Sequence, residues 1–249
     1  MSQPFLIALP VYNELGYVDA VIRQVLEYGP EVLVVDDGST DGTSERLAAH
    51  RDIRLVRHDG NRGYGAALKT AFEYAERHRF EILITIDCDG QHEPQRIPRF
   101  VAACGGVDIV SGSRYLKHYP GDSQPPAQRR WINQQVTAEL NRRLSLELTD
   151  AFCGFKAYRV ASLAKLRLTE NGYAMPLELW VQAARAGLKV IELPVPLVYL
   201  DESRSFGGML DDAATRLAYY HLVLDRSIAA VELSDGVIHS GSICGEGTG

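Results

Sequence analysis

The feature that most constrains the fold of this chain is a repeated change of period along its first half. Short apolar runs alternate with amphipathic segments: "FLIAL" (5–9), "VLVV" (32–35), "IRLVR" (53–57), "EILITI" (81–86) and "VDIVSG" (107–112) read as strands. Between them Val18, Val21, Ile22, Val25 and Leu26 recur at helical spacing, a short helix fits 43–49, and "NRGYGAALKTAFEYAERH" (61–78) reads as a turn and a helix. Strands alternating with helices of this length predict right-handed βαβ units, hence an α/β fold with a Rossmann-like, mostly parallel central sheet flanked by helices. A chain of 249 residues suits one large α/β domain or two small ones and buries a sizeable core without staples.

A parallel sheet binds ligands in the crevice outside the carboxyl ends of its strands. Polar clusters stand at four such ends. Strand one runs into Pro10, Tyr12, Asn13 and Glu14, strand two into Asp36 and Asp37, strand four into Asp87 and Asp89, and strand five into Ser113 and Arg114.

The stretch "LITIDCDGQHEP" (83–94) places Asp87 and Asp89 one residue apart after an apolar run. Two carboxylates that share one side of an extended chain, with the amide oxygen of Gln91 nearby, suit a hard divalent cation such as Mg²⁺ or Mn²⁺. The competing reading is a solvated turn whose aspartate caps a helix led by Pro94. In "DDGSTDGT" (36–43) a turn and helix cap account for Gly38 and Gly42 but not for two adjacent carboxylates. A carboxylate there can accept hydrogen bonds from a ribose or a base edge.

The second half changes character. "LKHYPGDSQPPAQ" (116–128) is rich in turn formers and reads as a mobile loop. A helix is expected over about 128–145, a strand at "CGFKAYR" (153–159), and a helix at "PLELWVQAARAG" (176–187), with proline at its start and glycine at its end. "LKVIELPVPLVYL" (188–200) is extended, and its prolines favour an edge. A last helix over 213–233 carries Leu217, Tyr220, Leu224, Ile228 and Val231 on one stripe, which suits packing on the domain or on a dimer partner, or contact with a membrane surface. The glycine- and serine-rich tail, 234–249, reads as flexible.

A net charge of −6 argues against general nucleic-acid binding, which needs a basic face. The four cysteines fall at neither metal-ligand nor redox-motif spacing, the first residues lack the basic start of a signal peptide, and no run approaches the roughly 18 apolar residues of a spanning helix. The expectation is a cytoplasmic protein, soluble or peripheral at the membrane.

Taken in order, "PVYNE" (10–14), "VVDDGSTDGT" (34–43), "NRGYGAAL" (61–68), "IDCDGQHEP" (86–94) and "SGSRY" (111–115) resemble the family 2 inverting glycosyltransferases of the GT-A fold. "TDAFCGFKAYR" (149–159) and "GYAMPLEL" (172–179) are similar to segments of the dolichol-phosphate mannosyltransferase and polyprenyl-phosphate sugar transferase group. The resemblance covers residues 5 to about 208. It implies a domain over 1–212, with a nucleotide-sugar-binding half (1–115) and an acceptor half (116–212), followed by the 213–233 helix.

The resemblance also implies roles. Pro10, Tyr12, Glu14, Asp36 and Asp37 belong to the nucleoside pocket, and Asp87 lies by the donor nucleotide. Asp89 and Gln91 hold the metal on the diphosphate, Asp89 counting also among the catalytic residues. Arg114 and Arg129 match arginines that meet phosphates, as charge-assisted forks do. Arg204 stands in for a lysine of the group's R-x-x-G-x-S-K segment and joins the donor-binding set. "AFCGF" carries Cys153 where the group has serine, and "DCDGQ" replaces "DADLQ". The implied partners are a nucleoside-diphosphate sugar and an acceptor, a polyprenyl phosphate. A lipid phosphate is already anionic and needs no strong base, whereas a hydroxyl acceptor needs one, for which Asp150 and Glu178 are the candidates. The alternatives are a soluble saccharide or small-molecule acceptor on the same fold, and a nucleotide-sugar-binding module without turnover. A sugar nucleotidyltransferase would want a glycine-rich phosphate loop, which "LPVYNE" is not.

Overall fold

The computed structural model describes residues 4–200 and 207–240. In chain order the elements are β1 (Phe5–Val11), α1 (Val18–Leu26), β2 (Val32–Asp36), α2 (Thr43–Ala49), β3 (Arg54–Arg57), α3 (Tyr64–Arg77), β4 (Ile82–Thr85), α4 (Ile97–Ala103), β5 (Ile109–Ser113), α5 (Ala127–Leu144), β6 (Lys156–Arg159), α6 (Val160–Leu163), α7 (Met175–Arg185), β7 (Val190–Pro194) and α8 (Ala213–Ser240). The described residues form one seven-stranded sheet in the order β3-β2-β1-β4-β6-β5-β7. β6 runs antiparallel to β4 and β5, and the remaining pairs are parallel.

The inner strands read as unbroken apolar runs because both faces of the sheet are covered. Along β1, Leu6 and Ala8 enter the core on one face and Ile7, Leu9 and Val11 the core on the other. β2 divides in the same way, with Leu33 and Val35 opposite Val32 and Val34. Residues from α3, α5, α7 and α8 fill the first face, and residues from α1 and α4 the second. β7 lies at an edge, with Pro194 at its end, as its prolines suggest. The register sets Val11 beside Asp36 and Ala8 beside Thr85, so the chain leaves β1, β2 and β4 along one rim.

Two expectations change, and a third is narrowed. The 116–127 loop is tied down: Ser123 N donates to Leu197 O (2.7 Å), Leu197 N and Tyr119 N donate to the Asp122 carboxylate (3.0 and 2.8 Å), and Tyr199 N donates to Ser123 Oγ (3.0 Å). Turn-forming residues here build a docked corner, because the side chains that favour turns also accept backbone hydrogen bonds. The last helix continues to Ser240, past the start of the expected tail, and residues 241–249 lie outside the described residues. Its apolar stripe packs on its own domain, Tyr220, Val223 and Leu224 being core residues. Among the described residues no helix is long and apolar enough to cross a membrane.

Candidate functional site

A cavity of about 580 Å³ opens at the rim where β1, β2 and β4 end. Its lining includes Pro10, Tyr12, Glu14, Asp37, Asp87, Asp89 and Gln91 together with Arg114, Tyr115, Arg129, Arg216 and Tyr220, and Tyr64 and Tyr173 are also in the wall. The carboxylates come from strand ends and the arginines from α5, α8 and the residues after β5.

The first two loops brace each other. Asn13 takes a left-handed conformation (φ 56°), its N–H donates to Ser39 Oγ (2.9 Å), and its Oδ1 accepts from Thr40 N (2.8 Å). Asp36 stands behind this brace and not in the cavity. It is fully buried, and its carboxylate accepts from Ser39 N (2.9 Å) and Ser44 Oγ (2.5 Å), so the expected contact with nucleoside is replaced by a strut within the loop. Asp37 reaches the wall, but its oxygens accept from Arg62 N (3.0 Å) and Gly63 N (2.7 Å) and pair with His58 Nδ1 (2.6 Å). Gly63 makes this possible: its φ is +102°, and a Cβ there would collide with the Asn171 carbonyl.

Asp87 sits two residues beyond β4, under the cavity. Tyr64 Oη donates to its Oδ1 (3.0 Å), and His92 Nε2 lies 3.3 Å from its Oδ2. Its carboxylate rests against the backbone of Gly154, where any Cβ would overlap it. That contact explains the glycine of "CGFKAYR" physically. Burial pushes the Asp87 carboxyl up, but the bonds from His92 and Tyr64 and the charge of Lys156 outweigh it and hold it below the usual carboxylate range. Lys156 is itself buried, with Nζ donating to Cys153 O, and burial lowers its pKa. Tyr64 also stacks on Tyr173 (centroids 5.7 Å apart).

Asp89 and Gln91 follow on the same wall, and the loop curls so that Gln91 N donates to Asp89 Oδ1 (3.0 Å). Among the described residues no group of three or more His, Cys, Asp or Glu forms a metal cage. A carboxylate and an amide oxygen beside an open cavity fit a cation that takes its remaining oxygens from water and phosphate, which is the habit of Mg²⁺ and Mn²⁺.

Arg114 and Asp150 form a two-pronged pair. Arg114 Nε donates to Oδ2 (2.7 Å) and Nη2 to Oδ1 (2.9 Å), while Asn133 Nδ2 donates to the same Oδ1 (2.7 Å). Asp150 is fully buried. Burial alone would raise its pKa, but the charge and hydrogen bonds of Arg114, with Asn133, bring it down to about 2. A carboxylate held this way is a poor proton acceptor, so Asp150 is corrected from candidate base to the group that aims Arg114. Glu178 is corrected likewise. It lies outside the cavity wall, buried, and accepts from Thr169 N (2.8 Å), Glu170 N (2.7 Å) and Thr169 Oγ1 (2.9 Å), closing the turn before α7. Arg114 and Arg129 both line the cavity, and Arg204 lies outside the described residues.

Sequence reasoning passed over Tyr64, His92 and Gly154 as site residues, although all three sit inside the stretches that carried the resemblance. It also missed Asn133, Lys156, Arg216 and Tyr220. No local signal marks those, because packing of helices and of β6 brings them in.

Residues 6–167 match the family model described as "Glycosyl transferase family 2". Undecaprenyl-phosphate mannosyltransferase of Micrococcus luteus is 30% identical, over 86% of this chain and 92% of that protein. Polyprenol monophosphomannose synthase of Mycolicibacterium smegmatis is 29% identical, over 92% of each. Among solved structures, glucosyl-3-phosphoglycerate synthase from Mycobacterium tuberculosis in complex with phosphoglyceric acid has a TM-score of 0.68 at 19% identity, covering 92% of this chain and 80% of that one. The same enzyme with Mn²⁺, uridine-diphosphate and glucosyl-3-phosphoglycerate gives 0.65 at 20% identity, covering 93% and 79%. These structures share the fold.

Proposed function

The chain belongs to glycosyl transferase family 2 and is a glycosyltransferase of the GT-A fold, and on that premise we propose that it transfers a hexose from a nucleoside-diphosphate sugar to a polyprenyl phosphate, with inversion and with the help of a divalent cation. The observation that carries the acceptor class is the state of Asp150 and Glu178. Both carboxylates expected as general bases are buried and engaged away from the reacting space. An acceptor that arrives as a phosphate anion needs no base, and positioning with electrostatics then supplies the rate. The names of two relatives, an undecaprenyl-phosphate mannosyltransferase and a polyprenol monophosphomannose synthase, support the same class.

The residues divide the work along the cavity. Pro10, Tyr12 and Glu14 take the nucleoside, with Asp87 beside it. Asp89 and Gln91 are the oxygen donors for Mg²⁺ or Mn²⁺, which when bound neutralises charge on the departing diphosphate. The solved glucosyl-3-phosphoglycerate synthase complexes with Mn²⁺ or Mg²⁺ and uridine-diphosphate are in keeping with that choice. Arg114, aimed by Asp150, and Arg129 draw phosphate charge into the same cavity. A lipid acceptor brings the reaction to a membrane surface, where this chain acts as a peripheral enzyme.

The test is transfer of labelled sugar from GDP-mannose, UDP-glucose and other common donors to polyprenyl phosphate. A lipid-extractable product that requires Mg²⁺ or Mn²⁺ is expected. Absence of any lipid product with every donor contradicts the reading.

A further inference from the structure

We infer that His58 is a positioning residue for the donor site: it locks Asp37 and, through Asp37, the entry to α3, so that Tyr64 meets Asp87. This rests on the reading above that sets Asp87 beside the donor nucleotide. His58 itself is not among the residues that line the cavity.

The geometry runs from a strand end to the cavity wall. β3 stops at Arg57 and the next residue turns inward: His58 N donates to Asp36 O (2.9 Å), and the residue is buried (5% exposed). Both ring nitrogens are used, Nδ1 on Asp37 Oδ1 (2.6 Å) and Nε2 on Thr70 Oγ1 (2.9 Å). A carboxylate oxygen only accepts, so Nδ1 carries its proton there. A hydroxyl donates or accepts, so Thr70 satisfies Nε2 with or without a proton. The imidazole thus ties the residue after β2 to the second turn of α3.

Asp37 passes this hold to the wall. It is buried, its Oδ1 also accepts from Arg62 N (3.0 Å), and its Oδ2 accepts from Gly63 N (2.7 Å). Asn61, Gly63 and Tyr64 line the cavity, so the two N–H groups that Asp37 holds lie within that stretch of wall. Tyr64 opens α3, and its Oη donates to Asp87 Oδ1 (3.0 Å). A buried chain of hydrogen bonds keeps one arrangement while every member is satisfied, and a missing donor leaves a carboxylate oxygen to seek another. Removing the imidazole therefore loosens Asp37 and the entry to α3 while the identity of every wall residue is kept.

The test is calorimetric binding of GDP and UDP, with Mn²⁺ or Mg²⁺, to the full chain. It compares the parent, His58→Leu, His58→Asn, Tyr64→Phe and the His58→Leu/Tyr64→Phe double variant. His58→Leu is expected to weaken binding roughly tenfold, and His58→Asn, whose amide nitrogen can replace Nδ1 as donor to Asp37, by no more than about threefold. Tyr64→Phe removes the last link of the chain. In its background His58→Leu should therefore cost less than about threefold more, because changes within one network are not additive. A general loosening of the fold would instead add its full tenfold loss to that of Tyr64→Phe, about what independent sites give, and that result overturns the inference. So does binding by folded His58→Leu within about twofold of the parent. Should the leucine variant not fold, His58→Asn is compared with His58→Gln, whose amide nitrogen sits where Nε2 does and meets Thr70; equal binding by the two overturns the inference. In each of these cases the proposed function stands. A parent protein that binds neither nucleotide overturns both.

Discussion

Two sets of residues line the cavity and are built by different means. The carboxylates hang from strand termini: the turns after β1, β2 and β4 place Glu14, Asp37, Asp87 and Asp89 within short stretches of chain. The arginines are assembled from distant segments. Arg114 follows β5, Arg129 sits in α5 and Arg216 in α8, and they meet only because those helices pack on one face of the sheet. The first set is therefore a local product of sequence and the second a product of tertiary packing. Damage to the first should strike chemistry directly, whereas the second mixes function with stability.

That contrast can be broken in several places. The largest effect belongs to Asp89→Ala, which should abolish transfer, a loss of about a thousandfold or more, together with metal-dependent donor binding, while the melting temperature barely moves. Normal transfer by this variant would remove the carboxylates from the chemistry.

Beside the arginines, Asp150→Asn should cost about 2–4 kcal/mol of stability in denaturant unfolding, because it leaves the partly buried Arg114 guanidinium without its counter-charge. An unchanged midpoint with lost activity would return Asp150 to the role of base.

The same pair sets an acid limit. Against burial, Arg114 and Asn133 hold the Asp150 carboxyl at about 2, compared with an ordinary aspartate value of about 3.9, so its contribution is complete above about pH 5 and is lost as pH falls toward 2. The loss is about 2 kcal/mol, measurable as a drop in unfolding free energy across that window that the Asp150→Asn variant lacks.

Gly154→Ala is smaller, about 1–3 kcal/mol of overpacking, and should also lower transfer because the new methyl displaces the Asp87 carboxylate. Smallest is Glu178→Gln. It should cost about 1 kcal/mol in thermal or chemical unfolding and leave the turnover of the folded enzyme within about twofold, since Glu178 serves the 169–170 turn and not the cavity.

The same contrast explains what the sequence made legible. Strand ends announce themselves, because an apolar run must stop where the chain leaves the sheet, and polar side chains at the stop face the crevice. Hence the sequence could single out Asp87, Asp89, Gln91, Tyr12 and Glu14, all of which line the cavity. Which carboxylate of an adjacent pair faces outward was not legible: Asp36 turns inward to Ser39 and Ser44, and only the loop's own hydrogen bonds decide that. Asp150 and Glu178 were misread for a related reason. A carboxylate near a motif looks the same in sequence whether it faces substrate or an arginine, and the difference lies in Arg114 Nε at 2.7 Å and Thr169 N at 2.8 Å. The stripe on α8 marked its packing face, yet the cavity-lining role of Arg216 depends on where the packed helix ends up.

The central proposal is that one cavity takes both a nucleoside-diphosphate sugar and an anionic acceptor. It is tested most directly by offering the enzyme a prenyl phosphate and the matching prenol, with the same labelled donor and Mg²⁺ or Mn²⁺. The account predicts a sugar product with the phosphate and essentially none with the alcohol. Equal transfer to the neutral prenol would contradict it.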